Sequence, residues 1–220
     1  LAARLRRTAA EAAALASLLT PANLPATWYA YRHNVASYIP LVTGHRAPFN
    51  INSPEMQRYF HTLGLYFPCQ IGIAKVLLFK SGLHLAYDGP ATPVKKLMAE
   101  IAHAVRPKLF ITTGTAGGIG TDVLLGDVVV GGSVRFDCST QFKSETWCKQ
   151  AFKAPKLPVG ALKAATPALL QHNSSRVPNS RAVPKIWSAA KDTMVTTDCF
   201  AFDDSPGHYK VQGLGQVCEM

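Results

Sequence analysis

Residues 109–130 read LFITTGTAGGIGTDVLLGDVVV, and this stretch decides the fold. A β-prone run at 109–112 leads into a glycine-rich loop, and a second apolar run follows at 128–130. Continuous hydrophobicity is typical of strands covered on both faces in α/β proteins, where ligands bind beyond the carboxyl ends of the strands. The sequence therefore predicts two buried strands on either side of a functional loop.

A strand and a helix precede this stretch. Residues 75–80 (KVLLFK) have the composition of a buried strand. Apolar residues recur at spacings of three and four over 94–105, with Thr92 as a predicted N-cap and Pro93 at the first helical position. Together with the strand at 109–112, these elements predict a right-handed βαβ crossover. We therefore expect the loops after the two strands to lie at the same edge of the sheet.

The remaining segments are less regular. The alanine-rich opening predicts a helix over residues 2–19. Aromatic residues predict a strand within 27–39 that Pro40 closes, and further strands are expected at 194–197 and within 211–220. Prolines interrupt residues 138–185, which favours a long irregular segment of the same domain over a second domain.

Composition narrows the functional classes. The 220 residues are 48% hydrophobic and carry a formal charge of +10, but Lys and Arg are scattered, so no nucleic-acid partner is expected. Five cysteines without CxxC or zinc spacing favour a reduced, cytoplasmic protein with no metal. No apolar run approaches the roughly 18 residues of a membrane span, so no membrane partner is expected. The opening resembles a terminal helix more than a targeting segment, because Glu11 interrupts it.

The glycine loop fits neither common phosphate-binding fingerprint. Its spacing is GxxGGxG, without the GxGxxG of dinucleotide sites or the GK[ST] of a P-loop. Such a loop can present backbone N–H groups and the Thr115 hydroxyl to phosphate, water or sugar oxygens. It can equally be a plain turn that needs positive φ angles. The loop alone leaves both interpretations open.

Four motifs in order resemble one family. ITTGTAGGIG, LGDVVVGGSVRFD, TTDCFAFDD and VCEM resemble the purine and uridine phosphorylase superfamily, in particular its nucleosidase branch. The resemblance covers residues 75–220, and residues 1–74 match poorly. It implies an α/β fold over residues 1–220, with one domain whose twisted mixed β-sheet is flanked by helices. It also implies a homo-oligomer.

The resemblance assigns roles at both ends of the matched region. Thr115, Ala116 and Gly117 resemble the loop that holds the attacking water or phosphate beside the ribose. Glu219 and Met220 resemble the ribose-side pair of a Glu-Met-Glu motif, with Glu219 as the catalytic carboxylate and Met220 packing on the sugar.

A third motif supplies the base site. Phe200 resembles the aromatic residue that stacks on the base, and Asp198 resembles the residue that structures that strand end. Taken alone, Phe200 is better interpreted as a core residue, because phenylalanine is so often buried, and its place in the ordered series of motifs favours the base site instead. The second glutamate of Glu-Met-Glu would follow Met220, and the family's later strand with its base-protonating aspartate is not found. With Leu as the first residue and VCEM as the last, we expect a fragment that lacks a C-terminal strand and helix.

The implied reaction is cleavage of the N-glycosidic bond of a purine-type nucleoside or thionucleoside. Such cleavage develops oxocarbenium character on the ribose, so it needs carboxylates near the sugar and a positioned nucleophile. Thr112 stands where the phosphorylases have a phosphate-binding arginine, which favours hydrolysis without an organic cofactor. The alternatives are phosphorolysis with inorganic phosphate as co-substrate, held by Arg46 or Arg135, and a non-catalytic nucleoside-binding protein.

Two pairs of acidic residues are candidate metal ligands. Asp127 and Asp137 bracket a predicted strand, and Asp203 and Asp204 lie in a turn by composition. Hard cations need several converging oxygens, so solvated or capping carboxylates are favoured at these positions.

Overall fold

The computed structural model describes residues 2–43, 50, 52–83, 93–119, 121–137, 142–154, 184–188, 193–197 and 217–219. The chain divides into two compact units, residues 1–114 (unit 1) and residues 115–220 (unit 2). A single domain over residues 1–220 stays a prediction.

Unit 1 carries the helices. The predicted helices at the amino terminus and at 94–105 are confirmed, but Pro93 is the N-cap of the latter helix and not its first helical residue. Thr92 lies outside the described residues. The helices are α1 (Ala2–Leu19), α2 (Val35–Thr43), α3 (Pro54–Leu63) and α4 (Val94–Val105), and a short 3₁₀ helix spans Pro25–Thr27.

The predicted strand over 27–39 is wrong for most of its length. Only β1 (Tyr29–Ala30) is a strand in this stretch, and α2 follows it with Pro40 in its interior. Tyr38 and Ile39 of α2 are 0% and 1% exposed. Burial of one helical face therefore outweighs the strand preference of the aromatic residues and the weakening effect of proline.

Helix α3 was not predicted from the sequence, although its start carries clear signals. Ser53 is the N-cap, and its side chain accepts a hydrogen bond from the Met56 N–H at 3.2 Å. Pro54 occupies the first helical position, where its missing N–H has no helical partner to lose. Met56, Phe60 and Leu63 form the buried face. A Ser-Pro start with this spacing is readable as a helix amino terminus.

The sheet of unit 1 is antiparallel throughout. Strands β1, β2 (Leu65–Ile71) and β3 (Ala74–Lys80) lie in that order. The β2–β3 hairpin pairs Leu65 with Lys80 and turns at Gly72, whose φ of 58° suits glycine. The predicted strand at 75–80 is therefore confirmed as β3.

The predicted βαβ crossover is wrong. Among the described residues, β3 pairs only with β2, and residues 109–112 form no strand. Leu109, Phe110 and Ile111 are 47%, 53% and 64% exposed. Strand propensity describes how well a residue fits a packed, pleated surface, and these side chains have little packing around them. The apolar run therefore does not become a strand.

Unit 2 contains the mixed sheet. Its five-stranded sheet has the order β4-β10-β9-β6-β7. The two inner pairings, β10–β9 and β9–β6, are parallel, and the two outer pairings are antiparallel. A separate parallel pair joins β5 to β8. The strands are β4 (Gly117–Gly118), β5 (Val128–Val129), β6 (Ser133–Asp137), β7 (Ala151–Lys153), β8 (Ile186–Trp187), β9 (Thr193–Thr197) and β10 (Val217–Glu219).

The α/β class and the mixed sheet are thus confirmed. The strands predicted at 128–130, at 194–197 and near the carboxyl terminus are present as β5, β9 and β10. Val195, in the middle of β9, is 0% exposed, which places it in the core of unit 2. Within the described parts of the chain, no helix combines the length and the apolar character needed to cross a membrane.

A polar cluster in unit 1 is built around the Glu100 carboxylate of α4. It accepts hydrogen bonds from the Tyr31 hydroxyl at 3.3 Å and from the Asn34 side-chain amide at 3.1 Å. The Tyr38 hydroxyl is buried beside the same carboxylate and forms no well-aligned hydrogen bond with the described residues. Burial, followed by the charge and hydrogen bond of Glu100, raises the pKa of Tyr31 to about 12. The cluster joins α4 to the segment between β1 and α2.

This cluster predicts a loss of stability at alkaline pH. Tyr31 holds its proton more tightly in the folded state than the unfolded chain does near pH 10, so its contribution is full below pH 10. The contribution disappears as the pH rises towards about 12. We expect the urea midpoint to fall as the pH rises from 10 towards about 12, and to fall less in Tyr31→Phe. Tyr29→Phe, at a side chain that is 56% exposed, should leave the fall unchanged. An equal fall in Tyr31→Phe would contradict this role.

Candidate active site

Three segments of unit 2 meet at one edge of the mixed sheet. Because β6, β9 and β10 are parallel neighbours, their carboxyl ends lie at the same edge. Asp137 is in register with Thr197, and Glu219 is in register with Thr196. In sheets of this kind, ligands bind beyond the carboxyl ends of the strands. This edge is therefore the candidate site.

The glycine loop reaches the same edge from the opposite direction. Strand β4 is antiparallel to β10, and Gly117 is in register with Cys218, next to Glu219. Thr115 and Ala116 precede Gly117 directly and are exposed. Neighbouring strands lie about 4.8 Å apart, so β4 is about 10 Å from β9 across β10. The distance between the predicted loop and the end of β9 is thus about the length of a small ligand.

The loop is held by close packing behind it. A Cβ atom added at Gly118 would lie 3.0 Å from the Val123 carbonyl oxygen and 3.2 Å from its Cβ. Ile119, the next residue, is fully buried. Glycine at position 118 therefore lets β4 approach the following turn, while Ile119 anchors the loop to the core of unit 2.

The other predicted site residues are placed only in part. Glu219 is the last residue of β10. Asp198 and Phe200 follow Thr197, the last residue of β9, and they lie outside the described residues, as does Met220. The roles of all predicted site residues stay predictions. What the structure brings together is the backbone of the loop with Thr115, Ala116 and Gly117, the end of β10 at Glu219, and the end of β9 at Thr197.

Asp127 is a capping residue, in agreement with the interpretation favoured from the sequence. Its carboxylate accepts hydrogen bonds from the Leu124 N–H at 3.1 Å, the Lys185 N–H at 2.8 Å and the Trp187 indole N–H at 3.1 Å. The Lys185 ammonium lies 3.4 Å from the centre of the Trp187 ring. Asp127 thus ties the turn before β5 to β8. Over the described residues, no three His, Cys, Asp or Glu side chains cluster as metal ligands would.

Two features of the sheet were not predicted from the sequence. Phe136 of β6 packs edge-on against Trp147 and Phe152, with ring centres 5.0 Å and 5.8 Å away, and so covers one face of the sheet. On the other face, the buried Nε atom of Arg135 has no hydrogen-bond partner among the described residues. The residues that surround Phe136 and Arg135 lie 11 or more positions away along the chain, so no local pattern indicates either environment.

Comparison with known proteins gives structural likenesses only. No protein-family model matches the chain. No curated protein matches it either.

The solved structures that resemble the chain include a 5'-methylthioadenosine/S-adenosylhomocysteine nucleosidase from Neisseria meningitidis in complex with methylthio-immucillin-A. Its TM-score is 0.49, and the sequence identity is 17% over 76% of this chain and 71% of that one. The corresponding nucleosidase from S. pneumoniae has a TM-score of 0.45 and 17% identity, over 76% of this chain and 72% of that one. Futalosine hydrolase of Helicobacter pylori has a TM-score of 0.45 and 12% identity, over 71% of this chain and 63% of that one. Each of these likenesses is one of the backbone, at 12–17% sequence identity and a TM-score below 0.5.

Proposed function

We propose that this protein hydrolyses the N-glycosidic bond of a purine-type nucleoside or thionucleoside. One observation carries the proposal: the glycine loop, the end of β9 and the end of β10 meet at the carboxyl edge of a mixed sheet. These are the segments in which the sequence motifs place the nucleophile loop, the base site and the ribose site. The glycine loop is thus brought to the sheet edge beside strand ends that follow it by about 80 and about 100 residues in the chain.

The roles follow from the chemistry of the bond. Thr115, Ala116 and Gly117 would position the attacking water, since exposed backbone N–H groups and a hydroxyl can orient it. Glu219 would bind the ribose hydroxyls and stabilise the positive charge that develops on the sugar. Phe200 would stack on the base, with Asp198 holding that strand end, and Met220 would pack against the sugar.

Hydrolysis is favoured over phosphorolysis. Thr112 occupies the position where the phosphorylases of this superfamily carry an arginine, and threonine has no charge to offer phosphate. We propose that water is the nucleophile and that no organic cofactor takes part. A homo-oligomeric, cytoplasmic enzyme is the corresponding proposal for assembly and location.

The experiment is base release from a panel of purine nucleosides and 5'-thionucleosides, followed by chromatography, with and without inorganic phosphate. Release at the same rate in both conditions is the expected result. Release that depends on phosphate, with formation of a sugar 1-phosphate, would instead show phosphorolysis. Tight nucleoside binding without release in either condition would show a binding protein and overturn the enzymatic proposal.

A further inference from the structure

The glycine loop packs against one residue that follows it in the chain. A Cβ atom at Gly118 would lie 3.0 Å from the Val123 carbonyl oxygen, 3.2 Å from the Val123 Cβ and 3.5 Å from its Cγ1. The backbone of β4 is therefore in close contact with Val123, which is itself partly buried. Because β4 pairs with β10, the position of Val123 also bears on how the loop approaches the end of β10 at Glu219.

The turn directly after Val123 is closed by Asp127 in two ways. The Asp127 N–H donates to the Leu124 carbonyl at 3.0 Å, and the Asp127 carboxylate accepts from the Leu124 N–H at 3.1 Å. Gly126, the third residue of this turn, has a φ of 89°, as the third residue of a type II turn does. The conformation of the backbone that follows Val123 therefore depends on one carboxylate.

The same carboxylate fixes the turn to β8. It accepts hydrogen bonds from the Lys185 N–H at 2.8 Å and from the Trp187 indole N–H at 3.1 Å. The turn cannot move away from β8 without breaking these bonds, and Val123 is joined to the turn through the backbone. A continuous path of contacts within unit 2 thus leads from β8 through Asp127 and Val123 to Gly118.

We propose that Asp127 is a positioning residue for the glycine loop. Through the turn and Val123, it keeps residues 115–117 at the distance from Glu219 at which an attacking water is aligned with the sugar. The inference rests on the proposed function, in which this loop orients the water. Asp127 acts only through the turn and contacts neither the water nor the nucleoside. A displacement of about 1 Å in a reacting group can lower a rate about 10²-fold, so a loop that moves slightly has a large effect.

Base release by Asp127→Asn tests the positioning role. Asparagine keeps the shape of aspartate, but its amide nitrogen accepts no hydrogen bond, so either the Lys185 bond or the other two bonds are lost. Per folded molecule, kcat should fall about 10- to 10²-fold while KM stays within about twofold, because the groups that bind the nucleoside are unchanged. Glu145→Gln, at an exposed carboxylate of the same unit, should retain both values.

Gly118→Ala tests the contact itself. Gly118 has no positive φ, so alanine changes the space beside Val123 without straining the backbone. We expect the same pattern, a lower kcat with an unchanged KM. The double variant Asp127→Asn/Gly118→Ala should lose less than the product of the two single losses, because both substitutions disturb one contact. Independent effects that multiply would overturn the path through Val123.

Hydrogen exchange separates this inference from the proposed function. Ile119 is fully buried next to Gly118, and its amide should exchange faster in Asp127→Asn but not in Glu145→Gln, with β6 and β9 unchanged in both. If wild type releases no base, the proposed function fails, and exchange at Ile119 alone decides whether Asp127 positions the loop. If wild type is active and Asp127→Asn retains its kcat per folded molecule, the positioning role is overturned and the proposed function stands.

A milder variant keeps the test decisive where Asp127→Asn does not fold. Trp187→Phe removes only the indole donor and leaves the carboxylate with its bonds to Leu124 and Lys185. It should give a smaller loss of kcat in the same direction, again with an unchanged KM. A rate that falls only in proportion to the folded fraction would show that the carboxylate stabilises unit 2 without positioning the loop, and would overturn the inference.

Discussion

Glu219→Gln is expected to lower the rate of base release by about 10²–10³-fold, which is the usual effect of removing one group that stabilises charge in a transition state. Glutamine keeps the volume and much of the hydrogen-bonding capacity of glutamate but cannot offset a positive charge on the ribose. Single-turnover release from the best substrate of the panel measures this effect. The loss should appear in kcat more than in KM, because the charge develops only in the transition state.

Glu145→Gln is the matched control for this substitution. Glu145 is an exposed carboxylate of the same unit, outside the candidate edge strands, so its replacement should leave the rate within about twofold of wild type. Equal rates for Glu219→Gln and wild type would remove Glu219 from the reaction. Unfolding curves for both variants separate a catalytic effect from a loss of folded protein.

Local patterns predicted much of the secondary structure. The helix at 94–105 and the strand at 75–80 form as expected, because their apolar spacing matches the faces they bury. The run at 109–112 fails for the opposite reason: its residues favour strands, but no strand within the described part of the chain pairs with them. Pairing is a property of the whole unit, so strand-prone residues alone do not decide it.

The segments that form the candidate edge could be predicted from the sequence better than the contacts that surround them. Strand ends and glycine loops carry signals in consecutive residues, and the order of the motifs places Gly117 and Glu219 together. The Lys185 N–H, which donates a hydrogen bond to Asp127, is 58 residues away from it in the chain. Arg135 and Val195, which are in register across β6 and β9, are 60 residues apart. Neither relation leaves a local pattern. Both therefore emerge only from the folded chain.

Asp127→Ala is expected to destabilise unit 2 by about 2–4 kcal/mol, because the carboxylate accepts three hydrogen bonds and charged acceptors contribute more than neutral ones. Two of the donors, the Leu124 N–H and the Trp187 indole N–H, are partly buried and would lose their acceptor. The Lys185 N–H is exposed and can bond to water instead, which keeps the effect below the sum of three charged bonds. Urea unfolding followed by tryptophan fluorescence measures the change.

The loss should be local to the pairing of β5 with β8. Asp127 positions the turn from which the Val128 N–H donates to the Lys185 carbonyl at 3.0 Å, so the β5–β8 amides should exchange hydrogen faster in Asp127→Ala. Asp137→Asn, a strand-end carboxylate of the same unit, should change the unfolding free energy by less than about 0.5 kcal/mol, the usual range for substitutions away from buried networks. A small effect of Asp127→Ala, or faster exchange spread evenly over unit 2, would mean that β5 and β8 pair without this carboxylate. Because the turn follows the glycine loop directly in the chain, a large local effect would also predict a slower base release in Asp127→Ala than its folded fraction accounts for.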